Sequence, residues 1–158
     1  MERRNAWLSY TEAEEKELEK VAKEYRNFLD VGKTERECVT QIIKEAQEAG
    51  YECLEEKAAK GEKLKAGDKV YTVGMKKIVA LFHIGQDDIA EGMNILGAHI
   101  DSPRLDIKQN PLYEDTDFAY LDTHYYGGVK KYQWVTIPLA IHGVVAKKDG
   151  SVVQVNIG

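Results

Sequence analysis

The apolar residues of this chain change their period part-way along it, and that change bounds the fold. Leu18, Val21, Ala22, Tyr25, Phe28 and Leu29 recur every three or four positions, and so do Val39, Ile42, Ile43 and Ala46. That is the spacing of helices with one apolar face. From Lys69 onward the pattern becomes one of short β-rich runs: Lys69–Val73, Ile78–Ile84, Ile137–Ala146 and Ser151–Ile157. Runs of that length bounded by Gly, Asp and Lys read as strands. The expected fold class is α/β, with helices first and sheet after, in a chain of 158 residues.

Local signals set the element ends. Ser9 and Thr11 each have a glutamate three residues on, Glu12 and Glu14, and Thr34 has Glu37. This is the capping-box spacing, in which hydroxyl and carboxylate satisfy the first free N–H groups of a helix. Gly32 and Gly50 stop the two helices. Residues 51–67 read as a connector. Lys69–Val73 and Ile78–Ile84 form a hairpin around Gly74 and Met75, and Asn94–Ile100 reads as a buried strand ending at Asp101-Ser102-Pro103-Arg104. Leu105–Lys108 extends beyond it, with Pro103 interrupting the ladder because it has no N–H. Residues 109–136 are rich in Asp, Tyr and Gly, with Gly127-Gly128 a mobile or tightly turned point. Lys147-Lys148-Asp149-Gly150 is a hairpin turn with the Asp-Gly signal. The last strand, Val152–Ile157, leaves an apolar hairpin with only Gly158 after it. Such an edge is a pairing hazard, so the sequence predicts a partner or a continuation of the chain, with continuation favoured.

Composition removes several function classes. A net charge of −5 and a pI near 5.5 oppose phosphate neutralisation and exclude a nucleic-acid binder. No stretch approaches the roughly 18 apolar residues of a membrane span, so no membrane role is expected. The charged start, Met1-Glu2-Arg3-Arg4-Asn5, is unlike a signal peptide. Two cysteines, Cys38 and Cys53, are too few for a disulfide framework. The expected compartment is the cytoplasm. Serine-nucleophile, phosphate-loop and C-x-x-C patterns are missing from the sequence, which leaves those chemistries without support.

The string with most chemical content is Gly97-Ala98-His99-Ile100-Asp101-Ser102-Pro103. On an extended chain His99 and Asp101 face the same side. A carboxylate beside a histidine can fix the ring tautomer for metal binding, and imidazole suits zinc. By spacing alone the pair also reads as a satisfied histidine at a strand end. His83 and His142 fall in strand runs and read as packed or edge residues. Asp87-Asp88 and Glu114-Asp115-Thr116-Asp117 read as solvated turns. Tyr113, Tyr120, Tyr125, Tyr126 and Tyr132 read either as interface or as sheet packing.

Gly97–Pro103 with Arg104-Leu105-Asp106-Ile107-Lys108 resembles the H-[TI]-D-S-P segment of the aspartyl-aminopeptidase family of zinc metallopeptidases. Tyr126-Gly127-Gly128, Trp134 and Ile137-Pro138-Leu139 are similar to a second segment of that family. Asn5-Ala6-Trp7-Leu8 and Lys33-Thr34-Glu35-Arg36-Glu37 are similar to its bacterial branch. The resemblance spans essentially the whole chain but only the leading part of the family's protein. It implies N-terminal helices and the start of a mixed-sheet zinc-exopeptidase catalytic domain over residues 1–108. The start of an inserted β-rich dimerisation domain would follow over residues 109–158. It also implies a zinc-dependent aminopeptidase acting on peptides through metal-activated water, with two zinc ions per complete site. His99 would be a metal ligand and Asp101 the catalytic-site carboxylate that orients it. His124 or Tyr126 would touch substrate or a neighbouring subunit of a homo-oligomer. The family's other ligands and general base fall after the part this chain matches, so the isolated chain is expected to be inactive. The competing reading is a non-enzymatic assembly module that uses its β-hairpin edge.

Overall fold

A computed structural model describes residues 5–158; the charged start at residues 1–4 lies outside the described residues. The chain forms two compact units, the first ending at Leu96 and the second Gly97–Gly158. The class is mixed α/β, with helices leading and strands following.

In the first unit, a short 3₁₀ turn at Ala6–Leu8 precedes helices α1 (Glu12–Val31) and α2 (Glu35–Glu48). Both helices start where the capping boxes predict, with Thr11 and not Ser9 as the first cap. The Thr11 N–H donates to the Glu14 carboxylate at 2.8 Å, and the Glu14 N–H donates back to the Thr11 hydroxyl. Thr34 and Glu37 repeat the exchange. Gly32 closes α1 through its N–H to the Phe28 carbonyl.

Residues 51–67, expected to be a connector, contain structure of their own. Strand β1 (Glu52–Cys53) leads directly into helix α3 (Leu54–Ala59). A two-residue strand carries too little apolar pattern to be seen in sequence; it forms because β1 runs parallel to strand β2 (Lys69–Gly74). Thr72 of β2 donates its hydroxyl to Glu55 of α3, tying that corner together.

The expected hairpin of β2 with β3 (Ile78–His83) forms, with Lys69 opposite His83 and Gly74 opposite Ile78, so Gly74 belongs to the ladder and the turn runs through Met75–Lys77. Its turn has Met75 and Lys76 at φ of 49° and 58°, with the Lys77 N–H bonded to the Gly74 carbonyl. Positive φ at both central positions matches the twist of the flanking strands.

The small core of this unit lies where α2 meets β2. Cys38, Val39, Ala46, Val70 and Tyr71 are buried, Val70 completely. Val70 and Tyr71 are adjacent on a strand and so project to opposite faces, yet both are covered. Gln47 of α2 donates to the Tyr71 hydroxyl at 3.0 Å. The α1 stripe, by contrast, stays open, with Val21, Tyr25 and Leu29 exposed.

The second unit holds two hairpins. Strand β4 (Arg104–Asp115) pairs with β5 (Phe118–Tyr126), and β6 (Ile141–Ala146) pairs with β7 (Val152–Ile157). A four-residue helix α4 (Lys131–Trp134) lies between them. The β6–β7 turn is the one its Asp-Gly signal predicts, with Gly150 at φ +84°. The strand expected over Ile137–Ala146 is regular only from Ile141.

The β4–β5 hairpin corrects the expectation for residues 109–136. Pro111 sits inside β4 where the register slips between Ile107 and Leu112. A residue without an N–H is tolerated at such a bulge. The turn places Thr116 and Asp117 at φ of 53° and 64°, values that favour Gly, Asn or Asp.

The largest correction concerns Asn94–Ile100. This segment is not a buried strand: residues 92–103 have no regular structure, and Leu96 is fully exposed. Strand geometry needs a neighbour for its N–H and C=O groups. The described sheets, β1-β2-β3, β4-β5 and β6-β7, do not include it.

Candidate functional site

His99 and Asp101 lie on the irregular segment that runs into β4, and both belong to the second unit. His99 Nδ1–H donates to the Asp101 main-chain carbonyl at 2.9 Å, and the Asp101 carboxylate Oδ1 lies 3.2 Å from the same nitrogen. A carbonyl oxygen can only accept, so this contact puts the proton on Nδ1. The neutral ring then offers its lone pair at Nε2. The His99 side chain is 84% exposed, so Nε2 is open to a ligand.

The other carboxylate oxygen has its own partner. The Tyr126 hydroxyl donates to Asp101 Oδ2 at 2.8 Å. That bond, then the backbone N–H of Asp101 itself, holds the Asp101 carboxyl below its ordinary value. Desolvation opposes the shift, and His99 adds smaller contributions in the same direction. Asp101 is therefore a carboxylate at neutral pH, as an orienting partner for a ligating imidazole must be.

The mouth of the β4–β5 hairpin holds this constellation. Arg104 and Tyr126 are cross-strand partners, and the Arg104 guanidinium sits over the Tyr126 ring at 4.3 Å. Arg104 Nε donates to Asp106 at 2.7 Å. Gly127, at φ +71°, lies against Pro103; a side chain there would come within 3.4 Å of the proline Cα. The sequence singled out His99-Ile100-Asp101-Ser102-Pro103 and Tyr126-Gly127-Gly128 separately. The hairpin register brings them together.

His124 is placed differently. It is exposed on β5, opposite Asp106, with its ring stacked on Tyr125 at 5.5 Å. His83 ends β3 and is exposed, while His142 is half-buried in β6. Arg104 is the residue that sequence reasoning missed. Its signal was available, since it directly follows Pro103 at the start of a strand, but its meaning depends on a hairpin that the sequence did not reveal.

A zinc ion needs about three protein ligands even in a catalytic site. The donor chemistry here fits one: an imidazole with Nδ1 engaged and Nε2 exposed. Among the described residues no three His, Cys, Asp or Glu side chains cluster closely enough to hold a metal ion. His99, held by Asp101, thus offers one oriented donor nitrogen.

Comparison with known proteins decides the family. The aminopeptidase I zinc metalloprotease (M18) family profile matches residues 28–157. The chain belongs to the M18 family. It is 57% identical, over 157 residues, to the probable M18 family aminopeptidase 1 of Clostridium acetobutylicum, covering 99% of this chain and 34% of that protein. It also resembles the crystal structure of aminopeptidase I from Borrelia burgdorferi B31, with a TM-score of 0.90 at 39% identity. That match covers 98% of this chain and 37% of the other. The M18 aminopeptidase structure from Thermotoga maritima gives a TM-score of 0.88 at 43% identity, covering 99% and 33%. The chain therefore spans about a third of the length of the curated relatives it matches. The M18 membership bears out the resemblance drawn from the H-x-D-S-P and Y-G-G segments. Among the described residues, no helix is long and apolar enough to cross a membrane.

Proposed function

We propose that this chain is the leading part of a zinc-dependent aminopeptidase that releases N-terminal residues from peptides. The observation that supports this most is the His99–Asp101 geometry inside the family-matched segment: one donor nitrogen fixed, the other exposed. In the complete protein His99 would ligate zinc through Nε2, and Asp101 would orient the ring and raise its basicity. Zinc, when bound, lowers the pKa of a water and polarises the scissile carbonyl. We assign two zinc ions to the complete site, with the remaining ligands and the general base outside residues 1–158.

Residues 1–108 would then open the catalytic domain and residues 109–158 the dimerisation domain of a cytoplasmic homo-oligomer. His124, exposed on β5, is suited to reach substrate or a neighbouring subunit; Tyr126, also considered for that contact, has its hydroxyl on Asp101. Ile95 and Leu96, exposed beside the site segment, are surface that the rest of the protein would cover. A second reading, an assembly module, draws on the exposed Val144, Val145, Val152 and Val153 of the β6–β7 hairpin.

The deciding assay uses the complete protein and unblocked peptides. Release of the first residue should stop after chelation and return with zinc. Absence of turnover, or turnover indifferent to chelation, would favour the assembly reading.

A further inference from the structure

The Asp101 carboxylate can orient His99 only if it is itself held. Its segment, residues 92–103, has no regular structure, and the Asp101 side chain is 38% exposed. Left alone, such a carboxylate would rotate and exchange its oxygens with water. Besides its own backbone N–H, the carboxylate has a side-chain anchor from outside the segment, the Tyr126 hydroxyl on Oδ2 at 2.8 Å. With Oδ2 held, the otherwise irregular Asp101 residue keeps both its main-chain carbonyl, at 2.9 Å, and its Oδ1, at 3.2 Å, against His99 Nδ1, and loss of the anchor loosens both contacts.

Tyr126 can serve as an anchor because its own position is well determined. It lies in the end pair of the β4–β5 ladder, under the Arg104 guanidinium, and the next residue turns against Pro103. Arg104 is in turn fixed by Asp106. The order of constraint runs from the hairpin to Tyr126, from Tyr126 to Asp101, and from Asp101 to the imidazole.

We propose that Tyr126 is a positioning residue for metal ligation: through Asp101 it holds His99 in the tautomer and rotamer that present Nε2. This rests on the assignment of His99 as a ligand. It adds that a residue of the β-rich hairpin controls the ligand's geometry, so ordering of the hairpin and metal affinity are coupled.

The test is Tyr126→Phe, which removes one oxygen and keeps the ring under Arg104. Two readouts are needed, both on the complete protein. The first is the ¹⁵N spectrum of labelled histidine in the metal-free protein, at a pH where imidazole is neutral. The wild type should show His99 as a single Nδ1–H tautomer, and Tyr126→Phe should show a mixture. The second is zinc affinity by chelator competition, expected to fall by about 10–100-fold, the usual cost of losing an outer partner of a ligating histidine. An unchanged tautomer or an unchanged zinc affinity would overturn the proposal.

Arg104→Gln keeps the hydroxyl while loosening the hairpin, so it guards against a merely destabilising effect. The tautomer change must follow the hydroxyl and not the melting temperature; if it follows the melting temperature, Tyr126 is only structural. His99→Ala separates the two levels. Unchanged zinc stoichiometry and affinity in His99→Ala removes the ligand assignment, whereas the tautomer experiment reports on Tyr126 without any metal.

Discussion

His99→Ala in the complete protein is expected to lower zinc content by up to one ion per site and to reduce aminopeptidase turnover by more than about 10–100-fold, the usual cost of losing only an outer partner of a ligand. The reason is geometric. His99 is the donor in this chain with one ring nitrogen satisfied by two oxygens of Asp101 and the other exposed. Alanine removes the donor and leaves the Asp101 carboxylate with nothing to orient. His99 is exposed, so the fold should be spared, and an unchanged melting curve would separate loss of ligation from loss of structure. Metal content by mass spectrometry and kcat/KM on an unblocked peptide are the measurements. Retention of both would exclude His99 from the site.

The second large effect concerns residues 1–158 by themselves. With zinc added, this polypeptide is expected to show no aminopeptidase turnover above background. One oriented imidazole cannot close a site that needs about three protein ligands, and no further cluster of metal-binding side chains occurs among the described residues. The same fluorogenic peptide assay checks this. A zinc-stimulated rate that disappears in His99→Ala would show that local residues complete the site, contrary to the account.

How far the sequence could be read follows the range of the interactions involved. The helix starts at Thr11 and Thr34 were legible because a capping box is a contact over three residues. The turn at Lys147–Gly150 was legible for the same reason, since Asp149 and Gly150 carry its geometry locally. The β4–β5 hairpin was not. Its turn puts positive φ on Thr116 and Asp117 where a glycine would have announced it, and Pro111 sits in mid-strand, which argues against a strand until the bulge is known.

The site divides the same way. His99 and Asp101 are two residues apart, and their contact could be read from spacing alone. Tyr126 is 25 positions from Asp101, and only the hairpin register brings its hydroxyl to the carboxylate. Asn94–Ile100 failed in the opposite direction. Its apolar content suggested a buried strand, but strand formation depends on a neighbour, and apolar pattern cannot say whether one is present.

The central claim is that His99 binds zinc through Nε2 while Asp101 holds Nδ1. The most direct measurement is a zinc-edge anomalous difference map from crystals of the complete protein. The account predicts a peak at about 2.0–2.1 Å from His99 Nε2, the ordinary zinc–nitrogen distance, with Asp101 on the far side of the ring. A zinc peak elsewhere, with His99 bare or bound through Nδ1, would contradict it.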